Sequence, residues 1–160
     1  MARACDLGQV RYRLATDERH MPGTRIVLDT NVFVAAGFNP RSSSAEIIRG
    51  IEQGRFELVW HRTTRRETER ILRQIPRLSW ETFAPLFRNE AEYTGEIAPE
   101  KFLNIEDPDD RKFAALSSAS GSILITNDEH LLAPRATLGI DVRTPAEFIG
   151  RREADRPSRR

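Results

Sequence analysis

From Thr24 onward the chain alternates short apolar runs with longer stretches of helical period, and this alternation limits the folds open to it. Arg25 to Asp29 carries Ile26-Val27-Leu28 without a polar interruption, as a buried strand requires. Ser42 to Gln53 places Ala45, Ile47, Ile48 and Ile51 on one side and stops at Gly54, so it reads as a helix. Phe56 to Trp60 is a second strand, and Thr63 to Ile75 is a helix ended by Pro76. Trp80, Phe83, Leu86 and Phe87 recur at helical spacing and predict a helix over Ser79 to Tyr93, serving as core or as a dimer interface. Gly95 to Ile105 is less regular, with room for a short third strand.

Asp107 as N-cap and Pro108 at the first helical position open a helix that runs to Ser120 and stops at Gly121. Ser122 to Thr126 is the next strand, Asp128 to Leu132 a short helix, and Ile140 to Arg143 the last strand. Thr144 to Gly150 closes as a helix with Pro145 just inside its start. Repeated β-α-β alternation implies an α/β fold: a mostly parallel sheet, right-handed crossovers, helices on both faces.

The 160 residues, 39% of them hydrophobic, suffice for one domain with a real core. The expected organisation is a flexible N-terminal extension over residues 1–23, a folded domain over 24–150 and a basic tail over 151–160. Met21-Pro22-Gly23 breaks the chain just before the first strand, and Met21 is a candidate native start. The tail carries a net charge of +3 and the extension +1, leaving the folded part near −3. Such a tail can meet nucleic acid or an acidic partner, or simply be solvated. Cys5 is the only cysteine, which excludes an internal disulfide and makes a cysteine metal site implausible. No apolar stretch approaches the ~20 residues that cross a bilayer, and no secretory leader is apparent, so a cytoplasmic location is expected.

Four carboxylates stand at the ends of apolar runs or on helices beside them: Asp29, Glu67, Asp110 and Asp128. Each has a local explanation. Asp29 can form an Asx turn or an N-cap, and Asp128 or Asn127 can cap the short helix. Glu67 can pair at the surface with Arg66 or Arg70, although its spacing from Ile71 and Ile75 puts it at the border of the apolar stripe. Asp107 and Asp109 can serve the helix dipole, whereas Asp110 shares a face with Phe113, Ala114 and Ser117 and should point toward the sheet. If the first strand and the strand from Ser122 are neighbours, all four carboxylates reach one crevice at the strand ends, where open α/β sheets hold their ligands. Hard oxygen donors without a Cys or His cluster select Mg²⁺ or Mn²⁺ over zinc, and ions of that kind can activate water and hold a phosphodiester. None of His20, His61 and His130 is placed as an obvious general base, and His130 reads as a surface residue.

Val27-Leu28-Asp29-Thr30-Asn31-Val32-Phe33-Val34, Glu67, the run from Asp107 to Leu116, and Leu124 to Leu132 together resemble the successive motifs of PIN-domain ribonucleases. The closing run from Val142 to Phe148 also resembles the end of that domain, so the likeness covers roughly Arg25 to Gly150. It implies a three-layer α/β/α sandwich, Rossmann-like in outline, and metal-dependent endonucleolytic cleavage of single-stranded or structured RNA. By position it implies Asp29, Glu67, Asp110 and Asp128 as catalytic acids and ligands of Mg²⁺ or Mn²⁺, Asn31 and Thr126 as supporting polar groups, and Asp107 as an outer acid. Asn127 departs from the family, where glycine is frequent. Many small members are VapC-like toxins, which implies a cognate antitoxin and a homodimer. Arg62, Arg65, Arg66 and Arg70 are expected to grip RNA phosphates, to dock an antitoxin or only to solvate their helix. The competing class is a non-catalytic RNA-binding or protein-interaction module on the same fold. A phosphoryl-transfer enzyme with an aspartate nucleophile fits less well, since Asp29 lacks a second Asp two residues on.

Overall fold

Strand β1 (Arg25–Leu28) is an inner strand of a four-stranded, wholly parallel sheet of order β2-β1-β3-β4, with β2 at Glu57–Leu58, β3 at Ile123–Ile125 and β4 at Val142–Arg143. The computed structural model that establishes this describes residues 23–154, with side chains as far as residue 150. The expected extension and basic tail therefore lie outside the described residues, apart from Gly23 and the backbone of 151–154. Register pairs Ile26 with Ile123, Val27 with Leu124 and Leu28 with Ile125.

Successive strand side chains point to opposite faces, and this divides the core in two. Ile26, Leu28 and Ile125 join one cluster with Val32 and Phe33 of helix α1 (Thr30–Phe38), Ile47 and Ile51 of α2 (Ser43–Glu52), and Leu72 of α3 (Arg62–Arg73). Val27 and Leu124 face the other way, onto Phe113, Ala114 and Leu116 of α5 (Arg111–Ser120). The result is the expected α/β/α sandwich. An inner strand with both faces covered must be apolar throughout, which is why Ile26-Val27-Leu28 is legible as a strand without alternation.

Local signals fix several helix ends. Ser42 caps α2 by accepting the Ala45 N–H, and Gly121 ends α5 in the left-handed region at φ 68°, a conformation that glycine adopts without steric cost. His61 caps α3, whose start is closed by reciprocal bonds between His61 and Thr64. The last helix, α7 (Pro145–Ala154), continues past the expected stop at Gly150. Helix α1 is absent from the sequence reading because its apolar residues run together from Val32 to Ala36 and leave no helical period to detect.

The predicted helix over Ser79 to Tyr93 does not form. It is replaced by α4 (Trp80–Phe83) and two single 3-10 turns, Ala84–Leu86 and Asn89–Ala91. Pro85 offers no N–H to an α-helix, and beyond it the backbone turns extended at Arg88, whose carbonyl accepts the Trp60 indole N–H at 2.8 Å. The aromatic spacing is satisfied by tertiary packing instead. Phe87 stacks on Phe33 at 5.6 Å and meets Trp80 at 5.3 Å, while Phe83 meets Phe33 edge-on at 5.6 Å. The stretch thus belongs to the core. Likewise β2 forms a ladder of two residues only, since the chain changes partner at Trp60, which bridges to Glu92. Residues 95–105 hold a 3-10 turn at Pro99–Lys101 and no strand.

Phe33, 1% exposed, joins α1 to this aromatic group. Truncation to alanine opens a cavity there, and Phe33→Ala is expected to lower the free energy of unfolding by about 3–5 kcal/mol, read from urea denaturation at constant m-value.

A candidate carboxylate site at the sheet switch point

The chain leaves β1 toward β2 on one side and returns to β3 on the other, so a crevice opens at the C-terminal ends of β1 and β3. Asp29 follows β1 and Thr126 follows β3. The Asp29 N–H donates to the Ile125 carbonyl at 3.1 Å, which carries the pairing one residue past the strands. The Thr126 hydroxyl donates to Asp29 Oδ2 at 2.8 Å and accepts the Asp128 N–H at 2.9 Å. Asp29 occupies the N-cap position of α1, yet its carboxylate makes no capping hydrogen bond. The side chain is turned onto Thr126 instead, so the local capping explanation does not account for it.

Asp29 is 3% exposed. Burial pushes its pKa up to about 6. The Thr126 hydrogen bond pulls it back down, and the charges of Asp128 and Glu67 add to the rise. Asp110 sits at the start of α5, where a 3-10 turn (Pro108–Asp110) is capped by Asp107, whose carboxylate accepts the Asp109 N–H at 2.9 Å. Asp110 itself caps nothing, and its Oδ2 is buried without a hydrogen-bond partner among the described residues. Burial, followed by the charges of Asp29 and Asp128, pushes its pKa up to about 7.

Asp128 does cap, accepting the His130 N–H at 2.9 Å at the start of helix α6 (Glu129–Leu132). One ligand atom from each of Asp110, Asp128 and His130 lies within 4.8 Å of the others. Among the described residues this is the one such group, and Asp29 and Glu67 stand outside it. His130, placed by sequence on the surface, is indeed exposed, but its ring also borders the two carboxylates, with Nδ1 3.9 Å from Asp128 Oδ1. The signal that could have marked it is its position two residues after Asp128 in the first turn of a capped helix.

Glu67 is held close by a buried contact one residue along: the Thr30 and Thr68 hydroxyls meet at 2.9 Å and tie α1 to α3. Both of its oxygens are engaged, Oε1 by Arg70 at 3.1 Å and Oε2 by Lys112 of α5. Pairing with Arg70 and inward placement therefore both hold. Lys112 escaped the sequence reading, because nothing local predicts that α3 and α5 bring residues 67 and 112 together. Asn31 is exposed on the first turn of α1, and Thr126 is fully buried. Arg62 and Arg66 are exposed. Arg65 lies over the rings of Trp60 (5.4 Å), Trp80 (5.7 Å) and Phe87 (6.0 Å), so its guanidinium faces the aromatic core.

A carboxylate whose pKa is raised on folding binds its proton more tightly in the native state. The resulting penalty is absent below the ordinary value of 3.8 and complete above about 6, where for Asp29 it amounts to about 3 kcal/mol. Metal-free protein is thus expected to lose stability as pH rises from 4 to 7. Asp29→Asn should be more stable than the parent at pH 8, with the two converging near pH 4, as measured by thermal melting across that range in EDTA.

A family model for the PIN domain matches residues 25–130, from the first residue of β1 into α6 and across all four carboxylates. No curated protein matches the chain. PIN domains are typically metal-dependent nucleases, and with two thirds of its length covered the chain belongs to the PIN-domain family.

Proposed function

We propose that the chain is an endoribonuclease that cuts single-stranded RNA with the help of Mg²⁺ or Mn²⁺. The observation that carries this reading is the buried, unpartnered Oδ2 of Asp110 beside Asp128. A buried carboxylate oxygen without a donor costs free energy, and a hard cation offsets that cost where a proton otherwise must. The donor set fits such an ion: oxygens from Asp110 and Asp128 with His130 at the rim, and Asp29 behind them. Asp110 and Asp128 would hold the ion, and Asp29 and Glu67 would act on it directly or through water. Bound there, a divalent ion supplies Lewis-acid polarisation of a phosphate and lowers the pKa of a water nearby.

The remaining roles fall to the chain's own groups. Thr126 fixes the Asp29 carboxylate by donating to one of its oxygens. Lys112, in contact with Glu67, stands where it can meet a phosphate oxygen, and exposed Arg62 and Arg66 can meet the RNA backbone further out. The likeness to small PIN-domain toxins supports the further reading that the chain is the toxin of a toxin–antitoxin pair, acts in the cytoplasm as a homodimer and is restrained by a cognate antitoxin.

Asp110→Asn is expected to lower Mn²⁺-dependent cleavage of a single-stranded RNA by roughly a hundredfold or more with its melting temperature retained, and EDTA should stop the parent. Full activity of that variant rejects the assignment. Since Asp29 and Asp110 must lose protons to receive the ion, Mn²⁺ affinity should rise through pH 6 to 7 with proton release, measured by calorimetry in buffers of different ionisation enthalpy.

A further inference from the structure

Beside the carboxylates lies a second feature that the cleavage reading leaves unused: a cleft of about 700 Å³ between the start of α3 and the segment from Glu92 to Pro99. That volume is ample for a nucleotide. Two residues join it to the carboxylate site. Lys112 lines the cleft and also contacts Glu67, and Pro108 lines it while opening the turn that ends at Asp110.

Three properties of the lining are those of a base-recognition site. First, Tyr93 is a half-buried ring in the wall, fixed by its backbone N–H, which donates to the Trp60 carbonyl at 2.7 Å. Gly95 lies against the edge of that ring: a Cβ there would stand 2.8 Å from the Tyr93 hydroxyl and 2.9 Å from Cζ, so a larger residue at 95 would push the ring from its place in the wall. Second, the cleft is edged by cations, Arg62 and Lys112, suited to the phosphates on either side of a base. Third, it contains two carboxylates, Glu92 and Glu96, which take part in none of the ion pairs found among the described residues. Carboxylates in a site edged by cations repel a backbone phosphate, yet they accept hydrogen bonds from a base edge that bears N–H groups.

We propose that this cleft is a base subsite, taking a nucleobase of the RNA strand next to the phosphodiester at Asp110 and Asp128, with guanine favoured. Single-stranded RNA is read by stacking unpaired bases on aromatic rings and hydrogen bonding to their Watson–Crick edges. Guanine presents N1–H and the N2 amine side by side, matched to the two oxygens of one carboxylate. Cytosine offers only its N4 amine, and uracil and adenine lack the paired donors. The strand's path rests on the ribonuclease reading above, whereas the cleft's lining does not.

The test uses the full chain, labelled with ¹⁵N and titrated without metal with the 5′-monophosphates of guanosine, cytidine, adenosine and uridine. Saturable shifts are expected at the Tyr93, Thr94 and Ile97 amides, with the guanosine nucleotide bound about tenfold more tightly than the adenosine and uridine ones. Tyr93→Leu should weaken all four by roughly tenfold, and Glu92→Gln should weaken the guanosine nucleotide alone. Glu92→Gln leaves the aromatic packing intact, so it tests the idea even if Tyr93→Leu does not fold. Absence of shifts at those amides overturns the proposal, as does equal affinity for the four bases that Glu92→Gln leaves unchanged. An RNA cleavage assay on the same preparation separates the two readings. Guanosine nucleotide binding without Mn²⁺-dependent cleavage supports the cleft and removes the nuclease, whereas cleavage without nucleotide shifts at Tyr93 removes the cleft alone.

Discussion

One hydroxyl group joins the two halves of the site. Thr126 Oγ1 has a single hydrogen, and it is given to Asp29 Oδ2, so the same oxygen is free to accept the Asp128 N–H. Through this one side chain the end of β1, the end of β3 and the start of α6 are held in a fixed relation. The Asp29 N–H, bonded to the Ile125 carbonyl, adds a backbone tie between the same strands. Because Thr126 is fully buried, water does not compete for these bonds. The position of Asp29 is thus set by the sheet itself, and the other acids are arranged around it.

The charges near Asp29 are balanced unevenly. Glu67 has a cation for each oxygen, Arg70 on its own helix and Lys112, and the Lys112 pair couples α3 to α5. Asp29 and Asp110 have no cation partner among the described residues, and their pKa values rise, to about 6 and about 7. Burial is the first cause in both cases, with repulsion from neighbouring carboxylates, Asp128 in each, added. Arginines are plentiful on α3, but Arg65 is turned onto the aromatic core and Arg73 is tied to Glu69 and Glu81. The chain thus places cations within reach of the crevice and keeps them off the two acids whose pKa values rise. That pattern destabilises the empty fold and suits a site completed by a cation from outside.

The inner strands could be read from sequence because a strand covered on both faces has no polar position, and Ile26 to Leu28 and Ile123 to Ile125 meet that condition. The place of Asp29 at the strand end could be read for a related reason: a charge directly after such a run has few places to go. Several features hidden from the sequence depended on contacts distant in it. The aromatic spacing from Trp80 to Phe87 fits a helix equally well as it fits a cluster around Phe33, and Pro85 decides for the cluster. Lys112 and Glu67, 45 residues apart, meet only because α3 and α5 do. Whether Asp29 would cap a helix or serve a site was undecidable locally, since its partner Thr126 lies 97 residues away.

Capping explains why some of these carboxylates are engaged by helix amides and others are not. An N-cap side chain reaches the amides of the first turn from an extended backbone. Asp107 and Asp128 have such backbones, with ψ of 118° and 121°, and both cap. Asp110 already has helical angles, φ −79° and ψ −20°, because the 3-10 turn that Asp107 caps has begun the helix ahead of it. Its carboxylate cannot fold back onto the amides and points into the crevice. Asp29 has the extended backbone, ψ 149°, and could cap α1, but the Thr126 hydroxyl draws the carboxylate away. Asp107 frees Asp110 by capping in its place, and Thr126 frees Asp29 by competing for it. The buried acids of the crevice therefore depend on neighbours that need not touch any ligand themselves.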